Sequence, residues 1–293
     1  MKVALIGADG QLGSDLVPRL REYKLYPFYY PHFDVKDTAG TRSTLLDIHP
    51  DIVINTSAYH RVDECEENPV EAFYVNAIAV KNLSLICRQM DSVLVHFSTD
   101  YVFDGEKKSP YIETDSPNPL SVYGVSKLAG EFFVRNICVK YFLIRTCGLY
   151  GTAGCWGKGT NFIDSIISMA KNGKPFKVVK DQTVTPTSTE ELSLIINKLI
   201  HTDNYGTYHL TNEGECTWFE FAQEILGMTG YKTELIPVSS EEYGAKAIRP
   251  HYSVLENRKA SQIGLALFSH WKKALQNYLI KKGYVKSAGD SSG

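Results

Sequence analysis

A short apolar run from Lys2 to Ile6 opens onto Gly7-Ala8-Asp9-Gly10-Gln11-Leu12-Gly13, and the residues that follow place Leu12, Leu16 and Leu20 at helical spacing. Few arrangements constrain a chain more tightly. A strand, a G-x-x-G-x-x-G loop and a helix in that order bring a glycine backbone close to the free N–H groups of a helix start, where a pyrophosphate is favoured. The plain alternative is a glycine-rich strand-to-helix turn with no ligand. Because the loop sits between the two elements that the motif requires, nucleotide binding is the stronger reading.

The pattern repeats along the first 150 residues. Leu25 to Tyr30 reads as a second strand and Asp51 to Asn55 as a third, followed by a long helix from Asn68 to Met90. Val93 to Phe97, Asn118 to Ile137 and Tyr141 to Arg145 then read as strand, helix and strand, with Asn118 as N-cap and Pro119 at the first helical position. Leu120, Tyr123, Leu128 and Phe132 supply this helix with apolar positions. Strands alternating with helices predict an α/β fold with a parallel, doubly wound sheet. Asp34 lies 21 residues past Gly13, where such folds carry an acid for the ribose of NAD, whereas a basic residue there favours NADP. It follows Pro27 and Pro31, beyond the expected strand end, so NADPH and NADH both stay open.

Ser98, Thr99 and Asp100 fall at the carboxyl end of the fourth strand, where open α/β sheets bind ligands. Tyr123 and Lys127 lie four apart on one helix face. A tyrosine hydroxyl titrates near ~10 and acts as acid or base at neutral pH only with help, which a lysine cation one turn away can supply. Tyr123 could then exchange a proton with a substrate oxygen that Thr99 also hydrogen-bonds. A tyrosine and a lysine at this spacing are otherwise ordinary helix-surface packing.

Composition excludes several classes. Among 293 residues the net charge is -2, with 43% hydrophobic and 22% charged, so no basic footprint for nucleic acid exists. No apolar run approaches the ~18 residues of a membrane span, and the N-terminus enters a strand without a signal-peptide pattern, so a cytoplasmic protein is expected. Cys65, Cys87, Cys138, Cys147, Cys155 and Cys216 show neither C-x-x-C pairing nor zinc spacing; they read as free, mostly buried thiols, and no metal is expected.

Taken together, Gly7-x-x-Gly10-x-x-Gly13, Ser98-Thr99-Asp100 and Tyr123-x-x-x-Lys127 resemble the extended short-chain dehydrogenase/reductase superfamily, whose members act on nucleotide-linked sugars. Within it, Gly10-Gln11-Leu12-Gly13, the run from Ser98 to Gly105, and Arg249-Pro250-x-Tyr252-Ser253-x-Leu255-x-Asn257 look like the dTDP-4-dehydrorhamnose reductase family, over roughly residues 1 to 283. The resemblance implies a Rossmann-type sheet with a smaller C-terminal substrate-binding domain. It implies that Gly7, Gly10, Gln11, Leu12 and Gly13 hold the cofactor pyrophosphate and that Asp34 and Val35 flank the adenine. Ser57, Ala58, Tyr59 and Phe97 would line the cofactor's path. Tyr123 would be the general acid, Lys127 would bind the nicotinamide ribose and lower the Tyr123 pKa, and Thr99, Asp100 and Asn161 would meet the sugar nucleotide. Hydride would pass to C4 of a 4-keto-6-deoxyhexose. Related dehydratases carry a glutamate after Ser-Thr-Asp as the base for elimination, and here Tyr101 stands instead, which favours simple reduction. Many family members also have a tryptophan after Arg-Thr-Ser, thought to contact the sugar, whereas Arg145-Thr146-Cys147 is followed by Gly148.

The sequence divides into a dinucleotide-binding domain at 1–150, with 183–205 packing back on it, a substrate-binding domain at 151–182 and 206–285, and a disordered tail at 286–293. A flexible loop is expected from Gly154 to Gly159, with Trp156 as lid aromatic or loop anchor, and helices at Asn161 to Lys171, Glu190 to Ile200 and from Trp218. The aromatics Trp218 to Phe221 read as core. Arg249 could neutralise a substrate diphosphate or form a surface ion pair. Two further functions share the motifs: a non-catalytic nucleotide-binding subunit, like the β subunit of methionine adenosyltransferase, and an epimerase. The resemblance also carries an expectation of a homodimer.

Overall fold

Apolar runs that are buried on both faces form the inner strands of one parallel sheet. In the computed structural model, which describes residues 1–154, 159–265 and 268–286, these strands are β1 (Lys2–Ile6), β3 (Ile52–Asn55), β4 (Val93–Thr99) and β5 (Tyr141–Thr146), and the half-buried β2 (Lys24–Phe28) lies at the edge. Their order is 2-1-3-4-5, and Gly206–His209 adds a sixth parallel strand beside β5. Inner strands covered on both sides read as continuous Val/Ile/Leu stretches, which is what 3–6, 52–54 and 93–95 show. The order reverses between β1 and β3, and a crevice opens at their carboxyl ends.

Two helical layers cover the sheet. On one face, Leu12 and Leu16 of α1 (Gln11–Arg19), with Leu20 just beyond it, pack with Leu192, Ile195, Ile196 and Leu199 of the helix Thr189–Leu199. On the other lie Leu45 of α2 (Thr38–Ile48), Val80, Leu83 and Ile86 of α5 (Ala79–Met90) and Val134 of α6 (Val122–Ile137). Between α2 and α5 run two short helices, α3 (Val62–Glu67) and α4 (Pro69–Phe73).

Two expected helix boundaries are corrected. The helix expected from Asn68 to Met90 is interrupted: a π-helical turn, Tyr74–Ile78, separates α4 from α5. There a Cβ on Gly130 of α6 would come within 2.3 Å of the Asn76 carbonyl oxygen, so the widened turn and the glycine fit each other. This 22-residue run, Pro69–Met90, is long and apolar enough to cross a membrane by length and composition, yet Val80, Leu83, Ile86 and Cys87 spend its apolar face on the core. Helix α6 begins at Val122, not Asn118, because Ser121 accepts from the Gly124 N–H at 3.2 Å as the cap, while the Asn118 amide donates to Asp104 at 3.0 Å. Leu120 and Phe132, expected on the buried face, are exposed.

A second core gathers Ile163, Ile166 and Ile167 of the helix Phe162–Lys171, Phe221, Ile225 and Leu226 of Trp218–Thr229, and Trp271, Leu275 and Leu279 of Trp271–Lys281. Beside it Phe176–Val179 and Leu235–Val238 form a parallel pair. The sequence division assigned all of 206–285 to this smaller unit, and the packing differs. Gly206–His209 belongs to the large sheet, and Ala260 and Phe268 pack into the first core. Five cysteines, Cys65, Cys87, Cys138, Cys147 and Cys216, are buried and form no disulfide among the described residues. Cys155 and Trp156, and the tail from residue 287, lie outside the described residues.

Candidate active site

The glycine loop is built by exclusion of side chains. Gly7 has φ +79°, and a Cβ on Gly13 would stand 2.1 Å from the Gly7 carbonyl oxygen, so the first turn of α1 can approach the loop only without one. Gly10 differs. Its nearest neighbour to a Cβ is the same oxygen at 3.4 Å, an ordinary contact, so its missing side chain leaves room on the cavity side. Gly10 is also the N-cap of α1 with no side-chain cap, leaving helix N–H groups available to an anion. The side chains of Gln11 and Leu12 hold the loop: Gln11 Oε1 accepts from the Gly151 N–H at 2.9 Å, and Leu12 is core.

These residues line one cavity of about 650 Å³ that runs along the carboxyl ends of β1, β3, β4 and β5. At one side it meets Tyr30, Asp34, Val35 and Lys36. Asp34 lies beyond the end of β2, accepts from the Lys36 N–H at 2.9 Å, and has the Lys36 ammonium 3.9 Å away. The ammonium also meets Glu71 at 2.7 Å. Past β3 the wall is Thr56, Ser57, Ala58 and Tyr59. Thr56, which the sequence reading missed, donates toward the carbonyls of Ile6 and Gly7 at 2.8 and 2.9 Å and so ties two strand ends together. The Asn76 carboxamide, set in the π turn, accepts from the Tyr59 N–H at 2.9 Å and donates to the Tyr59 carbonyl and Ser126 at 3.0 Å. A buried polar side chain satisfied by backbone in this way fixes the loop.

Phe97, Thr99, Asp100, Tyr123 and Lys127 meet on the cavity's inner wall, brought together by the end of β4 and the first turns of α6. Burial, with the nearby Asp100 carboxylate, pushes the Tyr123 hydroxyl up from its usual range, and a hydrogen bond with Thr99 works the other way. Tyr123 is therefore protonated at neutral pH. Lys127 is 2% exposed. It has no hydrogen-bond acceptor or ion-pair partner among the described residues, and burial pulls its pKa down to about 8, against a smaller opposing effect of Glu131.

Asp100 behaves unlike a ligand contact. It is 3% exposed and accepts from the hydroxyl of Thr99 at 2.9 Å, the hydroxyl of Ser253 at 2.6 Å and the thiol of Cys147 at 3.0 Å. Burial raises its pKa while these three donors lower it. With its oxygens so occupied, Asp100 holds Thr99 in place. Asn161 is similar: it caps the helix Phe162–Lys171 through Asp164 at 3.0 Å and donates to the Tyr278 hydroxyl and the Gly151 carbonyl at 2.8 and 3.1 Å. Arg249 is not on the cavity wall; its guanidinium holds Asp63 with two bonds of 2.8 and 3.2 Å.

Two buried hydroxyls on the wall, Ser98 Oγ and Thr146 Oγ1, have no hydrogen-bond partner among the described residues. With Lys127 they offer a polar patch that a carboxamide or ribose would satisfy, and the glycine cradle fits a pyrophosphate, so the residues suit a nicotinamide dinucleotide.

The RmlD substrate binding domain model matches residues 1–283. The spore coat polysaccharide biosynthesis protein SpsK of Bacillus subtilis strain 168 is 36% identical over 283 residues, covering 96% of this chain and 98% of the relative. The dTDP-4-dehydrorhamnose reductase of Escherichia coli K12 is 31% identical over 298 residues, covering 95% and 97%. Among solved structures, a Bacillus anthracis dTDP-4-dehydrorhamnose reductase in complex with NADP superposes with a TM-score of 0.91 at 39% identity, covering 96% of this chain and 99% of that one.

Proposed function

Because the chain belongs to the RmlD substrate binding domain family, we propose that it reduces the C4 keto group of dTDP-4-dehydrorhamnose to give dTDP-L-rhamnose, with NADPH or NADH as reductant. The observation that carries this reading is the meeting of Thr99, Tyr123 and Lys127 at the inner wall of the cavity that also holds the glycine loop. The sheet unit takes the dinucleotide and the second core carries the sugar side. A cytoplasmic enzyme fits this reading.

A bound nicotinamide dinucleotide supplies the hydride. Each of the remaining steps belongs to the chain. Helix N–H groups at Gly10 to Gly13 hold the pyrophosphate, and Asp34 and Val35 border the adenine end. Lys127 offers its buried ammonium to the nicotinamide-side ribose, and its charge favours negative charge that develops on the substrate oxygen. Thr99, whose own hydroxyl hydrogen is given to Asp100, presents a fixed oxygen beside Tyr123. Tyr123, protonated in its buried position, donates its proton to the C4 oxygen as hydride arrives at the carbon. Elimination needs a carboxylate base where Tyr101 stands, and a tyrosine held above its usual pKa by burial does not serve. The test follows NADPH and NADH oxidation with dTDP-4-dehydrorhamnose, with the product identified by mass and NMR. Formation of dTDP-L-rhamnose supports the reading, and a protein that binds NADPH yet consumes none overturns it.

A further inference from the structure

Gly148 has φ +55°, and a Cβ built on it would stand 3.4 Å from Cη2 of the Trp218 indole and 3.2 Å from Cα of Pro186. The indole therefore lies against a stretch of backbone that carries no side chain. It is held from other sides too. Trp218 is the first residue of its helix, whose start is locked by a reciprocal cap: the Glu220 N–H donates to Thr217 Oγ1 at 3.1 Å and the Thr217 N–H to the Glu220 carboxylate at 2.8 Å. The ring of Phe162 packs on it with centroids 4.6 Å apart at 44°.

Trp218, Phe162 and Gly148 line the same cavity as Thr99 and Tyr123. The adjacency is short: Gly148 follows Cys147, whose thiol reaches Asp100, the neighbour of Thr99. An aromatic face thus stands at the sugar end of the site, fixed by packing.

We propose that Trp218 is a specificity-determining residue whose indole face receives the apolar side of the hexose ring and its C6 methyl group, so that the 4-keto oxygen meets the Tyr123 hydroxyl. The inference rests on the reductase reading given above. Hydroxyls leave part of a pyranose ring as bare C–H, and a 6-deoxy carbon extends that surface; C–H groups pack on the negative face of an aromatic ring. A 6-hydroxymethyl group placed there would lose water and find an indole instead of a partner, which disfavours it. Trp218 thereby supplies an aromatic contact at a place where the adjoining chain position, Gly148, can supply none.

The test is calorimetric titration of Trp218→Ala, in the presence of NADP+, with dTDP-L-rhamnose and separately with dTDP. Removing the ring should weaken dTDP-L-rhamnose about tenfold, the loss expected for one or two buried carbon groups, while dTDP and NADP+ affinities stay within about twofold of wild type. Trp218→Phe should recover most of the lost affinity. Equal weakening of dTDP and dTDP-L-rhamnose would show a ring that serves the nucleotide or the fold, and unchanged dTDP-L-rhamnose affinity a ring that touches no sugar; either overturns the proposal. A wild-type protein that binds dTDP-L-rhamnose no better than dTDP strikes at the reductase reading itself, which the variants leave separate.

Discussion

Lys127 places an ammonium where water scarcely reaches it, and that has a stability cost with a definite sign. Below pH about 8 the side chain is charged in both folded and unfolded chains, and the folded one bears the burial penalty. Between about 8 and the ordinary value of 10.5, the folded protein has released a proton that the unfolded chain keeps, so stability rises with pH. Lys127→Met should therefore stabilise the cofactor-free protein at pH 7 by on the order of 3 kcal/mol and abolish turnover. Urea unfolding at a series of pH values checks it: the gain should shrink as pH passes from 8 toward 10.5, and a pH-independent gain would mean that the charge is not its origin. The Tyr123 and Lys127 pair was legible because its members are four residues apart on one helix. Asp100, Asn161 and Arg249 were not, since what decides their roles is a partner far away in sequence: Ser253, Tyr278 and Asp63. Trp218 read as core and does pack against the second core, but only the fold brings it over Gly148 at the cavity as well.

The β1–α1 loop separates two kinds of glycine that look alike in a motif. At Gly13 even one methyl group would meet backbone 2.1 Å away, so Gly13→Ala should lower stability by roughly 1–3 kcal/mol in thermal or denaturant unfolding. At Gly10 a Cβ is tolerated by the protein, and Gly10→Val should unfold close to wild type yet lose NADPH binding, read by fluorescence titration. Unaltered NADPH affinity in Gly10→Val would refute the placing of the pyrophosphate. Elements with continuous apolar runs were legible almost to the residue, as β1 shows. The start of α6 was not, because Asn118-Pro119 and Ser121 are all acceptable starts locally, and the Asp104 carboxylate that takes the Asn118 amide is a tertiary partner. The π turn at Tyr74–Ile78 carries no periodicity of its own and depends on Gly130 of another helix.

Across the molecule, the C-terminal segment is stitched to the sheet at the site itself. Ser253 donates to Asp100, which in turn orders Thr99. Ser253→Ala removes a donor from a fully buried carboxylate and should cost about 1–3 kcal/mol in unfolding free energy, together with a fall in kcat as Thr99 loses its anchor. A variant with full activity and full stability would show that the contact does not organise the site. The parallel doubly wound class followed from alternation of elements alone. The addition of Gly206–His209 to the sheet did not, because a four-residue strand carries no sign of which sheet it joins.

The central claim is that Tyr123 delivers the proton in a hydride reduction, and one measurement meets it directly: single-turnover NADPH oxidation with dTDP-4-dehydrorhamnose by wild type and Tyr123→Phe, alongside NADPH titration of both. The account predicts conversion to dTDP-L-rhamnose by wild type, a fall of about 10²–10⁴ in rate for the variant, and the same NADPH affinity in each. A Tyr123→Phe protein that reduces the sugar at close to the wild-type rate would contradict it.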